Sequence, residues 1–143
     1  MKEKVIILPH PLIVNELSKL SDKVTDKIVV DARYDDILKD TAVLITDYSS
    51  IAYDAFYRGA RVIFYWEEKD YCMMQYGPST KLMLNEENVY GDYFYSEDGL
   101  SKAIRNNYDN PQTEEYKENL RMGSEIFNTL KSVLKERNLF LIK

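Results

Sequence analysis

Cysteine, histidine and clustered basic charge are all scarce in this chain. Cys72 stands alone among 143 residues, so neither a disulfide framework nor a cysteine zinc site is available, and the usage fits a reducing cytoplasm. The net charge is −5 and no basic stripe appears. Binding a polyanion needs clustered Lys and Arg, so a nucleic-acid partner is not expected and any phosphate site has to be local. No apolar stretch approaches the roughly 20 residues that span a bilayer. The amino terminus lacks the charged-then-apolar layout of a signal peptide, and a cytoplasmic protein is expected. There is no internal repeat and no low-complexity tract. His10 is the single histidine; no metal site and no cofactor are expected.

What remains is ample for a folded domain. Residues 1–143 suit one domain, able to bury roughly two thirds of the surface its unfolded chain exposes. Hydrophobic residues make up 45%, which excludes a disordered chain. Twelve tyrosines are unusual. Their amphipathic rings suit clefts and interfaces, and equally half-buried surface packing.

Taken in order, the chain alternates short apolar runs with helical periodicity. Lys4–Leu8 reads as a buried strand delivered into the loop Pro9-His10-Pro11. Leu12, Ile13, Leu17 and Leu20 recur at near-helical spacing. Lys27–Val30 predicts a second strand ending at Asp31-Ala32, and Asp35 can cap a short helix through Leu38. Ala42–Ile45 is a third strand. Ile51, Ala52, Ala55 and Phe56 form the apolar stripe of a helix that Gly59 can end. Arg61–Tyr65 is a fourth strand. Glu67 to Gly91 reads as an irregular, mobile loop over a crevice. A short strand is predicted over Asp92–Tyr95 and a helix from Glu97 or Asp98 to Asn106. A long amphipathic helix over 113–137 closes the domain, with a bend at Gly123. The apolar tail Leu139–Ile142 has to pack on the domain or against a partner. The expected fold is therefore α/β: a doubly wound, Rossmann-like parallel sheet with a long C-terminal helix. Ligands of such sheets bind beyond the carboxyl ends of the strands.

Ile45-Thr46-Asp47-Tyr48-Ser49-Ser50 is the stretch where chemistry concentrates. An apolar strand stops, two hydroxyls follow, and a helix begins, so backbone N–H groups and the positive end of the helix dipole face the crevice. Such a turn suits an anion, above all phosphate. The same serines are also ordinary helix caps, worth about 1 kcal/mol of stability. His10, Asp31 and the Asp47–Ser50 turn all fall at one sheet edge, with Asp31 and Ala32 a candidate edge for a nucleotide base.

These residues resemble the carboxyl-terminal half of the CDP-glycerol glycerophosphotransferase family. The resemblance rests on a strand leading into His-Pro, a strand leading into Thr-Asp-Tyr-Ser-Ser with an Asp soon after, and a strand leading into Phe-Tyr. It covers about residues 4–105. The family builds teichoic-acid-type polyol phosphate polymers on a two-domain GT-B scaffold, of which this chain would be one half. The resemblance assigns His10 to the neighbourhood of the donor pyrophosphate, as the catalytic residue that steadies the leaving nucleotide phosphate. It assigns Ser49 and Ser50 to the donor phosphates and matches Asp47 and Asp54 to the motif's acids, with Thr46 in support. A carboxylate repels pyrophosphate, so Asp47 is expected to orient the loop or a donor hydroxyl, and Asp54 to tie its helix to neighbouring backbone. Arg33, Arg58 and Lys69 are read as solvated surface charges.

Departures from the family pattern are also present. Leu8 stands where the family usually has Lys, Arg61 where it commonly has Pro, and Asp70-Tyr71 matches a later acidic-aromatic segment only loosely. The amino-terminal GT-B half is expected to be missing from this chain, and with it the acceptor site and the general base. The parent is expected to be a transferase, inactive as this domain alone, that takes a nucleotide-activated donor such as CDP-glycerol and a lipid-linked acceptor at the inner face of the membrane. Two other readings share the pattern: half of a GT-B glycosyltransferase using a UDP- or CMP-sugar, and a non-catalytic doubly wound interaction module. A receiver-like module needs acids where this chain has Leu8-Pro9-His10-Pro11, which counts against the second.

Overall fold

Short apolar runs bounded by polar residues become parallel strands in the computed structural model, which describes residues 4–9, 22–30, 33–77, 85–87 and 89–119. The strands are β1 (Val43–Thr46), β2 (Arg61–Tyr65) and β3 (Asp92–Phe94), in the order β1-β2-β3. Leu44 lies opposite Val62, Ile45 opposite Ile63, and Phe64 opposite Tyr93. Val62, Ile63 and Phe64 are all fully buried, as a central strand covered on both faces requires, and this is why β2 reads as an unbroken apolar run. The edge strands keep Ile45 and Tyr93 exposed.

The helices, in chain order, are α1 (Asp22–Thr25), α2 (Tyr34–Leu38), α3 (Ile51–Tyr57), α4 (Lys69–Tyr76), α5 (Leu100–Asp109) and α6 (Glu114–Asn119). Contacts divide the chain into two compact units, Met1–Ile37 and Leu38–Lys143. In the first, the predicted strands over 4–8 and 27–30 meet only as an isolated parallel bridge between Ile7 and Ile28. Ile7 N–H donates to the Lys27 carbonyl at 2.8 Å, and Val29 N–H to the Ile7 carbonyl at 3.0 Å. The predicted helix over Leu12–Leu20 lies outside the described residues.

The second unit holds the sheet. Ala52, Ala55 and Phe56 of α3 are buried in one cluster with Val62 and Phe64; the two alanines let the helix approach the strands closely. Gly59 ends α3 as expected. Its φ is +102°, its N–H donates to the Phe56 carbonyl at 3.1 Å, and Ala60 N–H donates to the Ala55 carbonyl at 3.0 Å, the bond pair of a Schellman cap. On the other face, Asn107 of α5 bonds to Arg61 and Asp92. Helices therefore lie against both faces of this three-stranded sheet. The wider doubly wound sheet goes beyond what the described strands form.

The expectations for Glu67–Gly91 and for Asp35 are corrected. Glu67–Gly91 is not one irregular loop: α4 occupies Lys69–Tyr76, and Tyr90 is fully buried, its ring edge-on to Phe56 at 4.8 Å and Phe64 at 5.2 Å. The segment before Gly77 contains no Gly or Pro, and its Lys, Met and Gln favour helix without an apolar period to announce it. The closing helix starts where expected, with Thr113 Oγ accepting the Tyr116 N–H at 3.1 Å, an N-cap bond. It is described only as Glu114–Asn119; residues 120–137 lie outside the described residues, so no long C-terminal helix is established. Asp35 sits inside the first turn of α2 rather than capping it.

Candidate functional site

The turn after β1 is shaped by its own side chains. The Asp47 carboxylate accepts the Ser49 N–H at 3.2 Å, folding the chain back immediately after the strand. Ser49 Oγ lies 3.5 Å from the Ile51 nitrogen, a long hydrogen bond. Ser50 is the N-cap residue of α3, yet its backbone is already helical (φ −63°, ψ −15°) and its hydroxyl makes no cap bond. Ser50 is exposed. Capping alone therefore does not account for the serine pair: one hydroxyl makes a weak bond and the other makes none to its helix.

Thr46 closes β1 opposite Phe64. Asp54 lies exposed in the first turn of α3, and among the described residues its carboxylate makes no hydrogen bond that would tie the helix to neighbouring backbone. Thr46, Asp47, Ser49, Ser50 and Asp54 thus share one strand–turn–helix unit at the carboxyl edge of the sheet. His10, Asp31 and Ala32 lie outside the described residues.

The structure adds residues at this edge that the sequence reading does not single out. Trp66, directly after β2, is fully buried, and its indole Nε1 donates to the Asp47 carbonyl at 3.2 Å. Its ring stacks on Tyr48, with centroids 6.0 Å apart and 5° between planes, and on Tyr93 at 5.5 Å. Lys69 Nζ sits 5.1 Å above the same ring. It also ion-pairs with Glu86, which takes a hydrogen bond from the Tyr95 hydroxyl as well. Lys69 is therefore not a solvated surface charge, whereas Arg33 pairs with Asp36 across an exposed 3.9 Å contact. The signal that could have found Trp66 is its position: a lone indole at the carboxyl end of a strong strand.

Charge at the edge is set by these contacts. Hydrogen bonds from Lys69 and then Tyr95 hold the Glu86 carboxyl down at about 2, and the bond to Glu86 raises the Tyr95 hydroxyl to about 12. Burial, followed by the nearby Cys72 and Asp47, pushes the Tyr48 hydroxyl up. Among the described residues, no group of three or more His, Cys, Asp or Glu is placed to hold a metal ion, and no helix is long and apolar enough to cross a membrane. The arrangement offers amide and hydroxyl donors on a turn braced from behind by aromatic rings, a form suited to an anionic ligand.

Comparison with known proteins gives a family model, CDP-Glycerol:Poly(glycerophosphate) glycerophosphotransferase, that matches residues 1–133. No curated protein and no solved structure matches the chain.

Proposed function

The chain belongs to the CDP-glycerol:poly(glycerophosphate) glycerophosphotransferase family, and from that premise we propose that it binds the nucleotide-activated glycerol donor at the Asp47–Ser50 turn. The observation that carries this reading is Ser50: an exposed hydroxyl at the carboxyl edge of the sheet that its own helix does not use. Ser49 and Ser50 supply their hydroxyls, and Ser50 its amide as well, to the donor phosphates, each bond to a charged oxygen worth about 1.5–3 kcal/mol. Asp47 shapes the turn through the Ser49 amide and does not itself meet the phosphate. His10 is assigned to the pyrophosphate, and Asp31 and Ala32 to the base, from the sequence alone, since all three lie outside the described residues.

In the proposed reaction an acceptor hydroxyl attacks the glycerol-bearing phosphorus of CDP-glycerol. A new phosphorus–oxygen bond forms to the acceptor, and the bridging bond to CMP breaks. CMP departs with the bonding pair, its charge stabilised by Ser49, Ser50 and His10, while the acceptor proton passes to a base. That base and the acceptor site are assigned to an amino-terminal GT-B half, and the products to teichoic-acid-type polymers made at the inner face of the membrane. Calorimetric titration with CDP-glycerol, CDP and CMP tests the donor site. Saturable binding that falls at least tenfold in Ser49→Ala/Ser50→Ala is expected; absence of wild-type binding at millimolar ligand overturns the reading.

A further inference from the structure

Trp66 joins the candidate turn to the rest of the sheet. Two of its contacts fall on the residues immediately before Ser49: the indole N–H on the Asp47 carbonyl at 3.2 Å, and the parallel stack on the Tyr48 ring at 6.0 Å. Together they restrain the Asp47–Tyr48 peptide, whose orientation decides where the Ser49 and Ser50 donors point. Trp66 is itself anchored. Its backbone N–H donates to the Phe94 carbonyl at 2.7 Å, and its carbonyl accepts the Lys69 N–H at 3.1 Å. Tyr93 covers its ring from β3. Filling this space requires only an apolar ring; bonding the Asp47 carbonyl requires an indole N–H.

We infer that Trp66 is a positioning residue for anion binding, holding the Asp47–Tyr48 peptide so that the Ser49–Ser50 donors are already set when a nucleoside diphosphate arrives. This rests on the donor-site reading above. A turn ordered beforehand does not spend binding energy on ordering. Loss of one neutral hydrogen bond then corresponds to about a three- to tenfold change in affinity.

The test compares the full chain with Trp66→Phe, which keeps an aromatic ring and removes the donor. CDP binding is measured by calorimetry, and the Ser49 and Ile51 amides are followed by heteronuclear NMR. In Trp66→Phe these amides are expected to shift and CDP to bind about three- to tenfold more weakly, while Val62→Ala, a core variant remote from the indole N–H, keeps wild-type affinity. Trp66 is the chain's single tryptophan, so wild-type emission reports the same contact without any variant: a saturable change on adding CDP is expected, with the calorimetric Kd. Wild-type affinity in Trp66→Phe, or calorimetric binding that leaves the emission unchanged, overturns this inference and leaves the donor site standing. Failure of the wild-type chain to bind CDP overturns the donor-site reading and this inference with it.

Discussion

Arg61 donates through its Nε to the side-chain oxygen of Asn107 at 2.7 Å, linking the first residue of β2 to a helix 46 residues later. Asn107 is 1% exposed and fully occupied, since its amide donates to the Asp92 carboxylate at 2.7 Å and to the Ala103 carbonyl at 2.8 Å. Arg61 also stacks over the Tyr116 ring at 3.5 Å. This lock sits at the amino edge of the strands, the end opposite the candidate turn, so Arg61 in place of the family's usual Pro serves packing. Asn107→Ala leaves Arg61 and Asp92 without their shared partner and is expected to cost about 2–4 kcal/mol. Urea unfolding checks it, and a loss below about 0.5 kcal/mol would show the network to be idle.

Gly91 passes so close to the central strand that a Cβ there would lie 2.0 Å from the Val62 carbonyl oxygen. That neighbour is backbone of β2 and cannot rotate away. Gly91→Ala is therefore expected to destabilise by about 2–3 kcal/mol or to prevent folding. At Gly59 the added Cβ meets nothing within 4 Å and only the positive φ is strained, so Gly59→Ala should cost about 1 kcal/mol. Thermal melts of the pair give the ordering; equal losses would contradict it.

The contrast between what the sequence shows and hides follows from the range of each interaction. β2 and the Gly59 cap were legible because both are local: an apolar run and a glycine directly after a helical stripe. Thr46 to Ser50 was legible for the same reason. The brace behind that turn was not, because Trp66 reaches Asp47 through a contact between strand ends that leaves no periodic trace. The segment holding α4 and Tyr90 looked like a loop because α4 presents no apolar stripe and the burial of Tyr90 depends on three distant aromatic partners. At the amino-terminal end, apolar runs suited to strands produced only the Ile7–Ile28 bridge; an apolar run signals burial, while a ladder also needs a neighbour in register.

Glu86 supplies a pH dependence of known sign. Lys69 and Tyr95 lower its pKa from 4.5 to about 2, so the folded state favours the carboxylate. The stabilisation is present above pH 4.5 and is lost as pH falls toward about 2. The pair is partly exposed, which keeps the effect small and screened by salt. Glu86→Gln is expected to flatten the acid limb of stability against pH in that window and to leave the neutral region little changed. An unaltered acid limb would remove Glu86 from the account.

Tyr90 separates the value of a ring from the cost of its hydroxyl. The ring packs against Phe56, Phe64 and Tyr53 within the buried core, whereas its hydroxyl oxygen is buried with no hydrogen-bond partner among the described residues. Burial, with Tyr53 and Asp54 adding repulsion, drives its pKa upward, so it stays neutral and still carries the penalty of an unpaired polar group. Tyr90→Phe removes that group and keeps the ring, and should be neutral or stabilising by up to about 1 kcal/mol. Tyr90→Ala removes both and should cost about 3–5 kcal/mol through the cavity it opens. Urea unfolding of the two variants decides it. A loss above about 1 kcal/mol in Tyr90→Phe would mean that the hydroxyl has a partner in solution, and a small loss in Tyr90→Ala would mean that the aromatic core collapses around the gap.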